Sequence, residues 1–427
     1  LRNIVFIIVC VLLVGCKKET DGNPPVISIT SPTVFSNFNV FDFINVMASV
    51  SDETDLVAVT IDIQDVSFNN VIPKIAVSVT ANSVDINQAI HLNDIHLESG
   101  VHYIKVWASD GVNEKSEYKQ INITGVPLTI NNRFIVSSPV AGSQVWDSFD
   151  GVATTPYLTF ASEYGGASVN SYHQYLITMG SFSDHLVAYD PIIIDTIWEQ
   201  SNPGNPPEPY YLKMLQTDDG ITYVSTSTRE VKGYGQSGSI TATINSQVDH
   251  KPDDMFVWGD RIYVEQKHDV TASHYMGVYY RFSGALDKSI GFANDIVSWE
   301  IRTANELFVL SNDGTGQGKM EIYNYAANSF WEPHAIPTGS IHDSYSVNPG
   351  QLLISHDLGL YMYTYSTNSL IQVEAGHSFT KLVYDEVSNI LWCIEGSDLY
   401  SYDLAGNQLS YFSHSSDIKE LLLFYNK

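Results

Sequence analysis

The chain has 427 residues, 44% of them hydrophobic and 16% charged, with 48 acidic against 21 basic side chains and a formal charge of -27. That length holds two or three domains with full cores, and this composition excludes a disordered chain. The acidic excess excludes nucleic acid and anionic lipid surfaces as partners, because phosphate binding needs clustered Lys and Arg.

The arginines are Arg2, Arg133, Arg229, Arg261, Arg281 and Arg302. The 26 tyrosines dominate an aromatic content of 12%, and such rings favour strands, sheet cores and stacking faces. From the N-terminus, Arg2 precedes an apolar run, Ile4 to Val14. Its length suits a secretory signal and is too short to span a bilayer. Leu13-Val14-Gly15-Cys16 follows and resembles the lipobox of bacterial lipoproteins. The resemblance implies cleavage before Cys16 and lipidation of Cys16. Because Lys17 rather than Asp comes next, it also implies anchoring at the outer membrane, with membrane contact through the lipid alone. Residues 1–15 are therefore expected to be a signal peptide. Residues 16–25, with "KKETDGNPP", are expected to be a lipidated, flexible tether. Of the three cysteines only Cys16 and Cys393 remain after cleavage. No internal disulfide or zinc spacing follows, and Cys393 in "NILWCIEG" reads as a small buried hydrophobe.

Residues 26–126 carry seven short alternating segments separated by turn formers, the pattern of a two-sheet antiparallel sandwich. "PPVISITSP", "SVSDETDLVAVTI" and "YIKVWASDGVN" resemble bacterial Ig-like domains, which serve as spacers and adhesion modules. Tyr103 is expected to face the core and Asp110-Gly111 to form a hairpin turn. Asp52, Glu53, Asp55 and Asp110 match in type the calcium ligands of cadherin-like relatives, although Asp at a turn ordinarily bonds its own backbone.

From residue 130 to 427 one strand type recurs. Taking Leu176, Ile221, Ile262, Leu307, Leu352 and Ile390 as equivalent gives spacings of 45, 41, 45, 45 and 38 residues. A second strand follows each, as in "GVYYRF" and "LYMYTY", with "EVKGYGQ" the poorest match, and a third follows several. A period near 42 with about four strands per unit signals a β-propeller, and Asn132 to Lys427 divides into close to seven such units. "RFIVSS" and "SQVWDSF" supply middle strands of an incomplete first unit, "YLTFAS" an outer one, and the terminal "KELLLFYN" is expected to close the ring on it. Strands between neighbouring blades are buried on both faces and lose strict alternation. Tyr361, Tyr363 and Tyr365 are expected on one blade face, with Leu360 and Met362 on the other. The pattern is similar to the YVTN and quinoprotein-like propellers, and it lacks the repeated Trp-Asp of WD repeats. The fold class expected is all-β, an Ig-like β-sandwich followed by a seven-bladed β-propeller.

Ligands of such rings meet loops between strands four and one and between strands two and three. Eight of the thirteen histidines fall on that face. The ligand-binding candidates are His250, Asp254, Asp295, His342, Asp343, His377, His414 and His356. Imidazoles and carboxylates converging from several blades suit a metal ion or a sugar, whereas polar loop residues also serve simply as turn formers. No HxH or HExxH spacing fixes a metal and no motif implies a cofactor. "SHDLGLYM" matches most of a sialidase Asp-box, but only once and without the arginine clamp. No nucleophile elbow, dinucleotide loop or phosphate loop is present, and "DGTGQGKM" reads as a hairpin. No catalytic residue is assigned. The expected function is a lipid-anchored cell-envelope protein whose loop face binds a protein or glycan. The alternatives are a polysaccharide-processing hydrolase or lyase on the same face, or a structural subunit of an envelope complex.

Overall fold

The computed structural model describes residues 22–204, 208–271 and 273–427. The expected signal peptide and the lipidation site Cys16 lie outside the described residues. The chain divides into two compact units between Pro127 and Leu128.

In the N-terminal unit a three-stranded sheet orders Val26–Ser31, Phe43–Ser51 and Ser83–His91. A five-stranded sheet orders Ser36–Asn39, Glu114–Thr124, Gly100–Ser109, Ala58–Gln64 and Ile75–Val77. Period-2 alternation sends Ile44, Val46, Ala48 and Val50 inward from one sheet. There they share a core with Ile61, Ile63, Ile104 and Val106 from the other. Tyr103 does not face that core. The inward parity belongs to His102, Ile104, Val106 and Ala108, so Tyr103 lies outside, stacked on Phe68 with centroids 5.7 Å apart. Asp110 does form the turn: its Oδ1 accepts the amides of Val112 and Asn113, each at 2.6 Å, and Gly111 has φ +90°.

The C-terminal unit contains seven four-stranded antiparallel sheets. Sheets 2 to 7 each take four consecutive strands in chain order, the first strands being Gly166–Asn170, Tyr211–Gln216, His250–Trp258, Asp295–Thr303, Ile341–Asn348 and Lys381–Asp385. Sheet 1 joins the two ends of the unit. The terminal strand Ile418–Tyr425 pairs with Ile130–Ser137, Leu421 opposite Ile135, and is followed outward by Gln144–Phe149 and Thr154–Phe160. The strand recurrence therefore marks the second strand of each sheet, and the expected closure by "KELLLFYN" is present.

Burial explains the lost alternation. The second strands Tyr175–Met179 and Thr222–Thr226 are buried at every residue. In sheet 6, Leu352, Ile354, Tyr361 and Tyr363 pack on Phe308 and Ile322 of sheet 5, while Leu353 and Leu360 pack on Leu391 and Cys393 of sheet 7. Cys393 is fully buried, as its apolar setting implies. The scarce arginines tie sheets together: Arg133 of sheet 1 bonds Asp385 of sheet 7, and Arg281 of sheet 4 bonds Tyr223 and Asp219 of sheet 3.

Candidate functional site

Antiparallel pairing in chain order sends connections 2–3 of each sheet, and the crossings from strand four to the next strand one, to the same end. All eight candidate residues lie at that end or on the first strands running from it. His250 and Asp295 begin first strands, Asp254, His342 and Asp343 lie further along them, and His356 ends a second strand. His377 and His414 lie in crossings.

The eight do not form one centre. His342 Nε2 lies 2.8 Å from Asp357 Oδ1 and 3.1 Å from Ser378 Oγ, and His377 Nδ1 lies 2.8 Å from Glu395 Oε2. These two half-buried histidines form a rim across sheets 6 and 7. His250, His356 and His414 are buried. His356 Nδ1 accepts the Leu358 amide of its own turn at 3.1 Å, His250 Nδ1 meets Val248 O at 2.8 Å, and His414 Nε2 meets Asp147 Oδ2 at 3.0 Å. These contacts brace loops, while Nε2 of His250 and of His356 is buried without a hydrogen-bond partner.

Asp254 and Asp343 belong to a second group, on the first strands of sheets 4 and 6. Lys213 Nζ lies 3.8 Å from Asp254 Oδ1. Asp254 holds that ammonium above its ordinary value, with further contributions from Asp253, Glu420 of sheet 1 and Asp343 of sheet 6. Lys381 pairs with Glu420. Asp343 accepts the Ser344 and Leu382 amides, each at 2.8 Å, yet burial outweighs them and pushes its carboxyl up to about 6. Burial, with the Asp343 charge beside it, pushes Glu300 up to about 8. The interior is thus rich in carboxylates, and its surroundings favour the protonated form of Glu300.

Asp295 belongs to a third group. Among the described residues, Glu265, His274 and Asp295 are the one set of three or more metal-ligating side chains whose ligand atoms all lie within 4.8 Å of one another. Asp52, Glu53, Asp55 and Asp110 form no such set.

No protein-family model and no curated protein matches the chain. Similar solved structures include the computationally designed Ika8 protein, with 12% identity and a TM-score of 0.51 over 68% of this chain and 87% of that one. They also include a functionally unknown protein from Desulfotomaculum acetoxidans DSM 771, at 11% identity and TM-score 0.51 over 69% and 99%. BamB from Moraxella catarrhalis matches at 11% identity and TM-score 0.43 over 68% and 92%. The chain has a β-propeller fold. Identities this low carry the fold alone.

On the propeller face opposite the candidate loops, a cleft of about 470 Å³ opens between sheets 1 and 2, lined by Phe134, Tyr157, Phe424, Asn131, Gln174 and Asp190 among others. Sequence reasoning missed this cleft, whose wall between the first two sheets is completed by Phe424 through ring closure. It also missed Glu265, Glu300, Glu420, Lys213 and Lys381. Glu265 did leave a signal. Three positions after the recurring apolar residue it stands where the other repeats carry Met179, Val224, Leu310, Ser355 and Cys393, none of them charged. Glu300, Glu420, Lys213 and Lys381 left none: they stand on first strands, which the recurrence did not include.

Proposed function

We propose that this chain is a lipid-anchored outer-membrane protein in which an Ig-like spacer carries a seven-bladed propeller that binds a basic segment of a partner protein. Cys16 in its lipobox-like setting supports the anchor. The parallel pairing of Ser36–Asn39 with Glu114–Thr124, across two sheets on one core, supports the Ig-like reading. The observation that carries the binding reading is the propeller interior. Asp254, Glu300, Asp343 and Glu420 lie there with Lys213 and Lys381, and burial lifts Glu300 and Asp343 to about 8 and 6. A Lys or Arg side chain entering from the loop face replaces the proton on Glu300 and relieves that charge. His342 and His377 form the rim it passes.

Fluorescence anisotropy with a panel of Lys- and Arg-rich peptides tests this. Binding is expected to weaken with added salt and to fall by about tenfold or more in the Glu300→Gln, Asp343→Asn double variant. His342→Ala and His377→Ala are expected to weaken it less. Equal binding by the double variant sinks the reading. The aromatic and amide lining of the opposite cleft favours a second reading, glycan binding. A glycan array signal lost in Tyr157→Ala, without peptide binding, would select it.

A further inference from the structure

We propose that Glu265, His274 and Asp295 form a binding site for a divalent transition-metal ion of the zinc type, at the loop face of sheets 4 and 5. Two carboxylates and an imidazole make a hard-to-borderline donor set suited to such an ion. Their ligand atoms, within 4.8 Å of one another, need only modest contraction to reach the edge of about 3.3 Å that Zn–N and Zn–O bonds near 2.0–2.1 Å impose.

Three observations point to a ligand rather than to a satisfied ion pair. Glu265 is 1% exposed, and its Oε2 has no hydrogen-bond partner, a costly state for a buried carboxylate. Its Oε1 is already engaged, taking the Ile296 amide at 3.1 Å and lying 3.1 Å from His274 Nδ1. The imidazole lies between the two carboxylates, with Nε2 3.8 Å from Asp295 Oδ1. Finally, the other repeats place only neutral residues at the position of Glu265, so propeller packing does not demand a carboxylate there.

Lys267 now neutralises this corner, its Nζ 2.7 Å from Asp295 Oδ1 and 2.5 Å from Asp253 Oδ2. When an ion takes the Asp295 oxygen, the ammonium keeps Asp253. Three protein ligands leave at least one coordination position for water or an incoming oxygen or nitrogen donor.

Calorimetric titration of the metal-depleted protein with ZnCl₂, together with metal analysis after dialysis, tests the site. One Zn²⁺ per chain is expected. Affinity should fall by about tenfold or more in His274→Ala and in Glu265→Gln, and should rise in Lys267→Met, which removes a competing cation. A gain of affinity cannot arise from misfolding. His185→Ala, on an exposed histidine elsewhere, should change nothing. Absence of a one-to-one event overturns the proposal, as do isotherms unchanged in both loss variants. Calcium bound as tightly as zinc, with no dependence on His274, also overturns it.

Discussion

Glu300 gives the propeller a pH-dependent contribution to its stability. Its carboxyl rises to about 8 from 4.5, chiefly through burial and then through Asp343. Between those values the folded state binds the proton and the unfolded state does not, so stability is greatest at the acid end and falls as pH rises. Asp343 adds a similar decline that ends at about 6. Glu300→Gln should therefore raise the thermal midpoint at pH 8 relative to wild type and flatten its decline between pH 6 and 8, as followed by calorimetry. An unchanged slope would remove Glu300 as its source. The residue scale was also the least legible in the sequence. His356 sits beside Asp357 in a turn and reads as a ligand, but its ring accepts the Leu358 amide and is buried. Glu265 reads as one more strand charge until the repeats are superimposed.

At the scale of the strand, legibility was high, because packing between sheets constrains both faces of every second strand. The tyrosines of sheet 6 show this: Tyr361 and Tyr363 pack on sheet 5, and Leu360 and Met362 face sheet 7. The turn between them and the second strand depends on Gly359, with φ +132°, where a Cβ would lie 2.1 Å from Glu374 O. Tyr363 is 1% exposed and its hydroxyl reaches Asn368 Oδ1 at 3.2 Å. Tyr363→Ala is expected to cost the propeller about 3–5 kcal/mol, measured as the shift of its unfolding transition. A loss below about 1 kcal/mol would mean that the seam between sheets 5 and 6 is not close-packed. The parity error at Tyr103 arose where a strand carries large apolar rings, Tyr103 and Trp107, on its outer face, so pattern alone did not choose the inward set.

At the scale of the molecule, stability depends on joining the ends of the C-terminal unit. The strand Ile418–Tyr425 pairs with Ile130–Ser137. Arg133 Nη2 reaches Asp385 Oδ2 at 2.6 Å, linking sheet 1 to sheet 7 where Asp385 is fully buried. Burial would raise that carboxyl, but hydrogen bonds from Arg133 and Ser388, together with the Arg133 charge, outweigh it and hold it below its ordinary range. Arg133→Ala leaves a buried carboxylate without its cation, and about 3–5 kcal/mol of destabilisation is expected. Refilling with Arg133→Lys should recover part of it, whereas wild-type stability in Arg133→Ala would show that strand pairing alone closes the ring.

The sequence by itself determined the all-β class, the repeat period, the strand that recurs and the closing role of the C-terminus. Each follows from local hydrophobic pattern repeated at fixed spacing, which survives without coordinates. Only the tertiary structure decided which charges meet. Glu300 and Asp343 come from adjacent sheets, Glu265 and Asp295 likewise, and the Arg133–Asp385 pair spans 252 residues. Electrostatic neighbours are set by distance in space and by burial, and neither is encoded in the order of residues along a strand.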